Sequence, residues 1–327
     1  MALMKMNMVE AINNCLRQEM ERDDAIVLLG EDVGVDGGVF RVTEGLFAKF
    51  GKDRVIDTPL SEDGIIGTAI GMAAMGLRPV PEIQFQGFDY EGYHQVVQHM
   101  SHLRNRTRGA ITLPIVMRLP AGGGIKALEH HGESAESIYI HMPGLKVVYP
   151  SSPYDAKGLL AACLTDEDPV LFFEPKRIYR AYREEVPEER YTLPLGKANI
   201  LREGTDVTLI SWGAMTYVSK DAIEDAAKEG ISVEHIDLRT LSPCDWDTIH
   251  SSVKKTGRAV VVHEAYKTLG FGAEIAARIM ENDFLEMEAP VRRVTGWDIQ
   301  IPLPRHEEHF FPGKERILKN IIETARF

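Results

Sequence analysis

Glu62 is the acid whose setting most invites a chemical role. It lies in the run Asp57-Thr58-Pro59-Leu60-Ser61-Glu62-Asp63-Gly64. The apolar Arg54-Val55-Ile56 predicts a strand. The residues after Glu62 predict a helix of very small side chains: Gly64, Gly67, Ala69, Gly71, Ala73, Ala74 and Gly76. A glycine costs a helix roughly 1 kcal/mol relative to alanine. So many of them suggest that something approaches this helix closely. A carboxylate at a strand-to-helix junction beside such a helix is a candidate functional group. The plainer account is that Ser61 caps the helix and that acids favour a first helical turn because of the dipole.

Two other segments could carry chemistry. Glu129-His130-His131-Gly132-Glu133-Ser134 follows the glycine-rich Gly122-Gly123-Gly124. Two histidines could bind a metal, but adjacent ones rarely reach a single ion without a third ligand, and none is evident. Surface-loop histidines fit equally well. The glycine run lacks the Lys-Ser/Thr of a phosphate-binding loop. Cys163-Leu164-Thr165-Asp166-Glu167-Asp168-Pro169 reads by itself as an acidic turn after a helix. The three cysteines, Cys15, Cys163 and Cys244, are scattered with no Cys-x-x-Cys spacing. That usage fits a reducing compartment and no disulfide framework, with buried free thiols expected at Cys15 and Cys244.

The elements that must position these groups follow an α/β rhythm. Helices are expected over 9–20, 93–107 and 155–163, and strands at 26–30, 55–56, 79–83, 115–119, 146–149 and 170–174. Short apolar strands alternating with helices imply a parallel sheet covered on both faces. Arg180 to Arg190 is charged and poor in apolar residues, and reads as a solvated linker. Strands at 207–210, 231–236, 259–262 and 291–294, with helices at 216–228 and 272–280, then repeat the rhythm. The expected division is a first domain over 1–185, a linker over 186–202 and a second α/β domain over 203–327.

Composition narrows the partners. The chain has 327 residues, 44% hydrophobic and 26% charged, with a net charge of −12. Such a field disfavours nucleic acid and anionic membranes and attracts a basic partner region. No apolar run reaches the roughly 18–20 residues that span a bilayer. The first residues lack a signal-peptide pattern. The expected location is the cytoplasm, or the mitochondrial matrix if a presequence has been removed.

Val55-Ile56-Asp57-Thr58-Pro59-Leu60-Ser61-Glu62 resembles the β subunit of the E1 component of 2-oxo acid dehydrogenase complexes, transketolase-like thiamine diphosphate enzymes. The resemblance continues through Gly76-Leu77-Arg78-Pro79-Val80-Pro81-Glu82-Ile83-Gln84-Phe85 and through Pro143 to Leu160, in order along the whole chain. It implies a thiamine diphosphate pyrimidine-binding domain followed by a transketolase C-terminal-like domain. In that family the latter is remote from the chemistry and serves assembly. The resemblance assigns Glu62 to the pyrimidine N1′ as a proton-sharing carboxylate. Leu60 is placed beside the cofactor and Phe88 stacked on the pyrimidine. His131 aligns with the histidine of a His-Ser-Gln-Ser pattern. Its implied role is proton transfer or stabilisation during decarboxylation and acyl transfer to lipoate. Here Gly132-Glu133 replaces the usual Ser-Gln. In some members a loop matching 163–168 holds a K⁺ ion. The positions implied are Ile115 (through its main-chain oxygen), Cys163, Asp166 and Asp168, the last standing where asparagine is frequent.

The cofactor's other half is missing from the sequence. The family's diphosphate–metal motif is Gly-Asp-Gly followed by paired asparagines. This chain has no Gly-Asp-Gly, and its one Asn-Asn pair, Asn13-Asn14, lies in the first expected helix. Half a site implies a partner. The resemblance supplies an E1 α subunit that holds the diphosphate and Mg²⁺, with thiamine diphosphate shared at the interface of an α2β2 tetramer. It also implies docking to the peripheral-subunit-binding domain of the E2 lipoyl acyltransferase. Branched-chain 2-oxo acids are the favoured substrates on the His130-His131 and Glu82-Ile83-Gln84-Phe85 segments. Pyruvate follows closely, and acetoin is a third alternative. A self-sufficient transketolase-type enzyme would need the absent motif. A non-catalytic assembly subunit would need neither Glu62 nor His131.

Overall fold

Six strands of the first half and one of the second build the larger sheet. A computed structural model describes residues 2–327. From one edge to the other the strands are Thr240–Ser242, Lys146–Val148, Val170–Pro175, Val116–Ala121, Arg78–Glu82, Ile26–Gly30 and Val55–Asp57. All neighbours pair parallel except Thr240–Ser242, which runs antiparallel to Lys146–Val148. Ile26–Gly30, Val116–Ala121 and Val170–Pro175 are buried at every position. Helices on both faces demand that, which is why these strands are continuous rather than alternating in sequence.

One face is covered by Met8–Arg22 and Pro153–Cys163. The first of these starts with a reciprocal cap. Asn7 Oδ1 accepts the Glu10 N–H at 3.0 Å, and Glu10 Oε2 accepts the Asn7 N–H at 2.9 Å; two otherwise unpaired donors are thereby satisfied. The other face is covered by the small-residue helix Glu62–Ala74, whose Ile65, Ile66, Ala69 and Ala73 point inward.

A second sheet has the order Arg292–Gly296, Ala259–Tyr266, Val207–Ser211, Val233–Asp237 and Asn199–Arg202, with only the last pair antiparallel. Helices Ala214–Lys228, Trp246–Thr256, Phe271–Asp283 and Lys314–Ala325 accompany it. Among the described residues no helix is long and apolar enough to cross a membrane.

Three expectations are corrected. The segment 93–107 is not one helix but a wide π-type turn over Gln95–Met100 followed by the short helix Leu103–Arg106. The Ser101 N–H donates to Val96 O at 3.0 Å and its hydroxyl to Val97 O at 2.7 Å. Back-bonding of this kind competes with the regular ladder. The stretch read as a solvated linker contains the strand Glu184–Pro187, paired antiparallel with Leu3–Met6. Asn199–Arg202, assigned by sequence to the linker, is the edge strand of the second sheet.

Candidate active site at the carboxyl edge of the larger sheet

In a parallel sheet the loops leaving the carboxyl ends of the strands converge on one edge, where such folds place their ligands. Here that edge collects the sequence candidates. Ile26–Gly30 leads to Glu31, Val55–Asp57 to Glu62, Arg78–Glu82 to Phe85 and Phe88, and Val116–Ala121 to Gly122 and the His131 loop. The turn before Glu62 is braced by Asp57, whose carboxylate accepts the Gly34 and Val35 N–H groups at 2.5 and 3.1 Å.

Glu62 is the first residue of its helix and 5% exposed. Its Oε2 is buried and has no hydrogen-bond partner in the chain. Half of the plainer account fails: Ser61 stands at the cap position without making a side-chain cap bond, while Glu62 and Asp63 both lie in the first turn, where the helix dipole favours acids. A buried carboxylate oxygen left unpaired is costly, so its partner is expected from outside the chain. Gly92 lies against the Glu62 main chain and Ile66, where a Cβ would have no room. That contact seats the Gln86–Tyr90 turn, and with it Phe88, on the start of the Glu62 helix.

Phe88, Phe85 and His131 form one aromatic cluster. The His131 ring centroid is 4.4 Å from Phe85 and 5.0 Å from Phe88, and the two phenyl rings are 5.3 Å apart. His131 Nδ1 lies 2.8 Å from Glu129 O. Donation to that carbonyl places the proton on Nδ1 and leaves Nε2 as the free acceptor. Nδ1 thus has a main-chain partner two residues upstream. His130 adopts a left-handed backbone, with φ of 65°. Its carbonyl is pressed on Gly87, where a side chain would not fit. Leu60 is 78% exposed.

Three titratable residues at this edge escaped the sequence reading. Glu31 is buried, and burial, with Glu62 and Asp32 nearby, pushes its carboxyl up to about 7. Its signal was position: it follows a fully apolar central strand, next to the strand that leads to Glu62. Lys176 is buried 5.5 Å from the Phe85 ring centroid and donates to Pro120 O at 3.1 Å. Burial lowers its ammonium to about 7. Glu264, from the second sheet, is held up to about 7 by burial. No local pattern could have brought Glu264 here, since it is 130 residues from its Ser134 partner.

The glycine run is no phosphate cradle. A Cβ on Gly122 would meet the Glu264 carboxylate, and one on Gly123 the Phe311 ring. The Gly124 N–H donates to Glu307 Oε1 at 2.6 Å. Carboxylates and a phenyl ring fill the space an anion would need.

At the implied cation positions the two carboxylates are already paired. Lys146 Nζ donates to both Asp166 oxygens at 2.7 and 2.6 Å and to Asp168 at 3.3 Å, and Arg104 pairs with Asp168. Ile115 O accepts the Val170 N–H, and Cys163 O the Asp166 N–H. Among the described residues no group of three or more His, Cys, Asp or Glu could hold a metal ion. The two carboxylates therefore do not fit as K⁺ ligands, because an ammonium and a guanidinium already neutralise them. Cys15 and Cys163 are buried, as expected for Cys15, whereas Cys244 is only partly so.

A family model described as the transketolase pyrimidine-binding domain matches residues 4–181, and one described as the transketolase C-terminal domain matches 196–317. The chain belongs to the transketolase-like thiamine diphosphate family, among its E1 β subunits. It is 52% identical to the pyruvate dehydrogenase E1 component subunit β of Acholeplasma laidlawii, over 98% of both chains. It is 50% identical to that of Staphylococcus epidermidis over 99% of both, and 49% identical to that of Bacillus subtilis over 98% of both. A solved structure described as a split gene transketolase, inactive beta4 tetramer, has a TM-score of 0.79 at 20% identity, with 98% of each chain covered; it shares the fold. The family's cofactor fits what this chain offers: an unpaired buried carboxylate oxygen at Glu62 and an aromatic side chain at Phe88.

Proposed function

We propose that this chain is the β subunit of the E1 component of a 2-oxo acid dehydrogenase complex. We propose further that it works with an α subunit that completes the cofactor site. The observation that carries the reading is the buried, unpartnered Oε2 of Glu62 at the carboxyl edge of a parallel sheet. Glu62 would hold the aminopyrimidine of thiamine diphosphate, with Phe88 and Leu60 beside it and the diphosphate and its Mg²⁺ on the partner. When bound, that cofactor supplies the carbanion chemistry by which a 2-oxo acid loses CO₂ and its acyl group passes to a lipoyl arm.

The residues of this chain divide the remaining work. Glu62 offers a buried, unpaired Oε2 to the aminopyrimidine. His131, with Nδ1 committed to Glu129 O, presents Nε2 as the proton-accepting atom. Phe85 and Phe88 fix its ring from two sides. The acidic surface suits the basic peripheral-subunit-binding domain of an E2 component.

For the substrate, the favoured branched-chain reading rested partly on Glu82 and Ile83. Both are core residues: Glu82 is buried in an ion pair with Arg118, and Ile83 is 1% exposed. The relatives named above are pyruvate enzymes, so we propose pyruvate as the 2-oxo acid.

The test is decarboxylation by the chain alone and with its α-type partner, scored by dye reduction. Thiamine diphosphate and Mg²⁺ are supplied, with pyruvate, 2-oxoisovalerate, 2-oxoisocaproate or acetoin as substrate. Activity with pyruvate only in the presence of the partner is expected. Turnover by the chain alone would overturn the split site, and preference for 2-oxoisovalerate would restore the branched-chain reading.

A further inference from the structure

The second domain was expected to be remote from the chemistry, but it grips the loop that carries His131. Strand Val116–Ala121 ends at Gly122, and the chain re-enters regular structure only at Glu136. Between them lies the loop of His130 and His131. Its near end is held from the C-terminal half. The Gly124 N–H donates to Glu307 Oε1 at 2.6 Å, across 183 residues of sequence. Glu307 is 3% exposed, and its Oε2 is buried with no partner. Phe311 lies on Gly123 so closely that no side chain could stand there. Lys126 pairs with Glu308 at 3.5 Å. The far end is held as well: Gly132 faces Ile301, and the Ser134 hydroxyl donates to Glu264 at 3.4 Å.

These contacts ask for glycines and acids together. Gly122 and Gly124 have φ of 76° and 90°, which side chains rarely adopt. A main-chain N–H turned inward there must find an acceptor. A carboxylate is the strongest acceptor available. Glu307 is itself fixed: Phe310, three residues on, packs edge-on against Tyr266 at 5.7 Å and lies against Gly296 in the second sheet.

We propose that Glu307 is a positioning residue for the reaction, acting from the second domain through the 122–134 loop on His131. The proposal rests on the reading of His131 given above. A loop of this length has many conformations, and fixing one before substrate arrives removes that cost from the reaction. The same contacts make the pairing of the two domains a condition of activity.

The test uses the αβ assembly with thiamine diphosphate, Mg²⁺ and pyruvate. Glu307→Ala is expected to lower kcat about tenfold with KM changed less than about threefold. Glu307→Gln, which keeps an acceptor oxygen for Gly124, is expected within about threefold of wild type. Combined with His131→Ala, Glu307→Ala should add nothing, because two residues acting through one step are not additive. Hydrogen exchange of the 122–134 segment should quicken about tenfold while the 207–211 strand is unchanged. If Glu307→Ala fails to fold, Glu307→Asp, which withdraws the carboxylate by one methylene, gives the same comparison. An unchanged exchange rate, or an equal slowing with and without His131, would overturn the proposal. If His131→Ala runs at the wild-type rate while Glu307→Ala still frees the loop, the role given to His131 falls and the clamp on the loop stands.

Discussion

Replacing Glu62 by glutamine isolates the group on which the proposed function rests. The side chain is 5% exposed, starts its helix and leaves Oε2 unpaired within the chain. Glutamine keeps the shape but cannot hold a shared proton as a carboxylate does. Removing a general acid–base group costs about 10²–10⁴ in rate, or roughly 3–5 kcal/mol at 1.36 kcal/mol per decade. The folding cost is much smaller. A negative charge in a first helical turn is worth about 0.3–1 kcal/mol, and relief of an unpaired buried charge offsets part of that. Glu62→Gln should therefore abolish most 2-oxo acid decarboxylation by the αβ assembly. Urea unfolding of the isolated chain should move by no more than about 1 kcal/mol. Turnover within about threefold of wild type would refute the reasoning, since no acid–base group in the handful that converge here could be removed so cheaply. A large loss of folding stability would show instead that Glu62 is paired within the chain.

Three other perturbations follow from the geometry. Arg118 is 1% exposed and bridges Glu82 and Glu174, with Nε 2.7 Å from Glu174 Oε1; Arg118→Ala strands two buried carboxylates and should cost about 3–5 kcal/mol in urea unfolding. Glu264 titrates near 7 in the fold against 4.5 ordinarily. The folded chain therefore keeps a proton that the unfolded chain has released, and wild-type stability falls as pH rises through that window. Glu264→Gln removes this slope, so its stability relative to wild type should rise by on the order of 2–3 kcal/mol across the window, and a flat difference would show that Glu264 does not titrate there. Gly71 is exposed on the small-residue helix, and nothing lies within 4 Å of a Cβ built on it. Gly71→Leu should leave the isolated chain as stable or gain up to about 1 kcal/mol, yet break association with the α-type partner in size-exclusion chromatography. Normal assembly would mean that this face meets nothing.

The sequence by itself carried whatever depends on short spans of chain. Continuous apolar runs such as Ile26–Gly30 and Val170–Pro175 announced buried parallel strands, because burial on both faces leaves no polar alternation. The small-residue helix and the absence of Gly-Asp-Gly set the expectations of a close approach and of a half-site. The tertiary structure decided what depends on distant pairing. Thr240–Ser242 crosses from the second half to close the first sheet, and Glu184–Pro187 finds Leu3–Met6 across the chain. Ser101 turns an amphipathic stretch into a wide turn by bonding back to Val97. Glu264 and Glu307 reach a loop more than a hundred residues away. Periodicity reports which side of a segment is buried, but not against what. A carboxylate gains its meaning from the partner that folding brings to it.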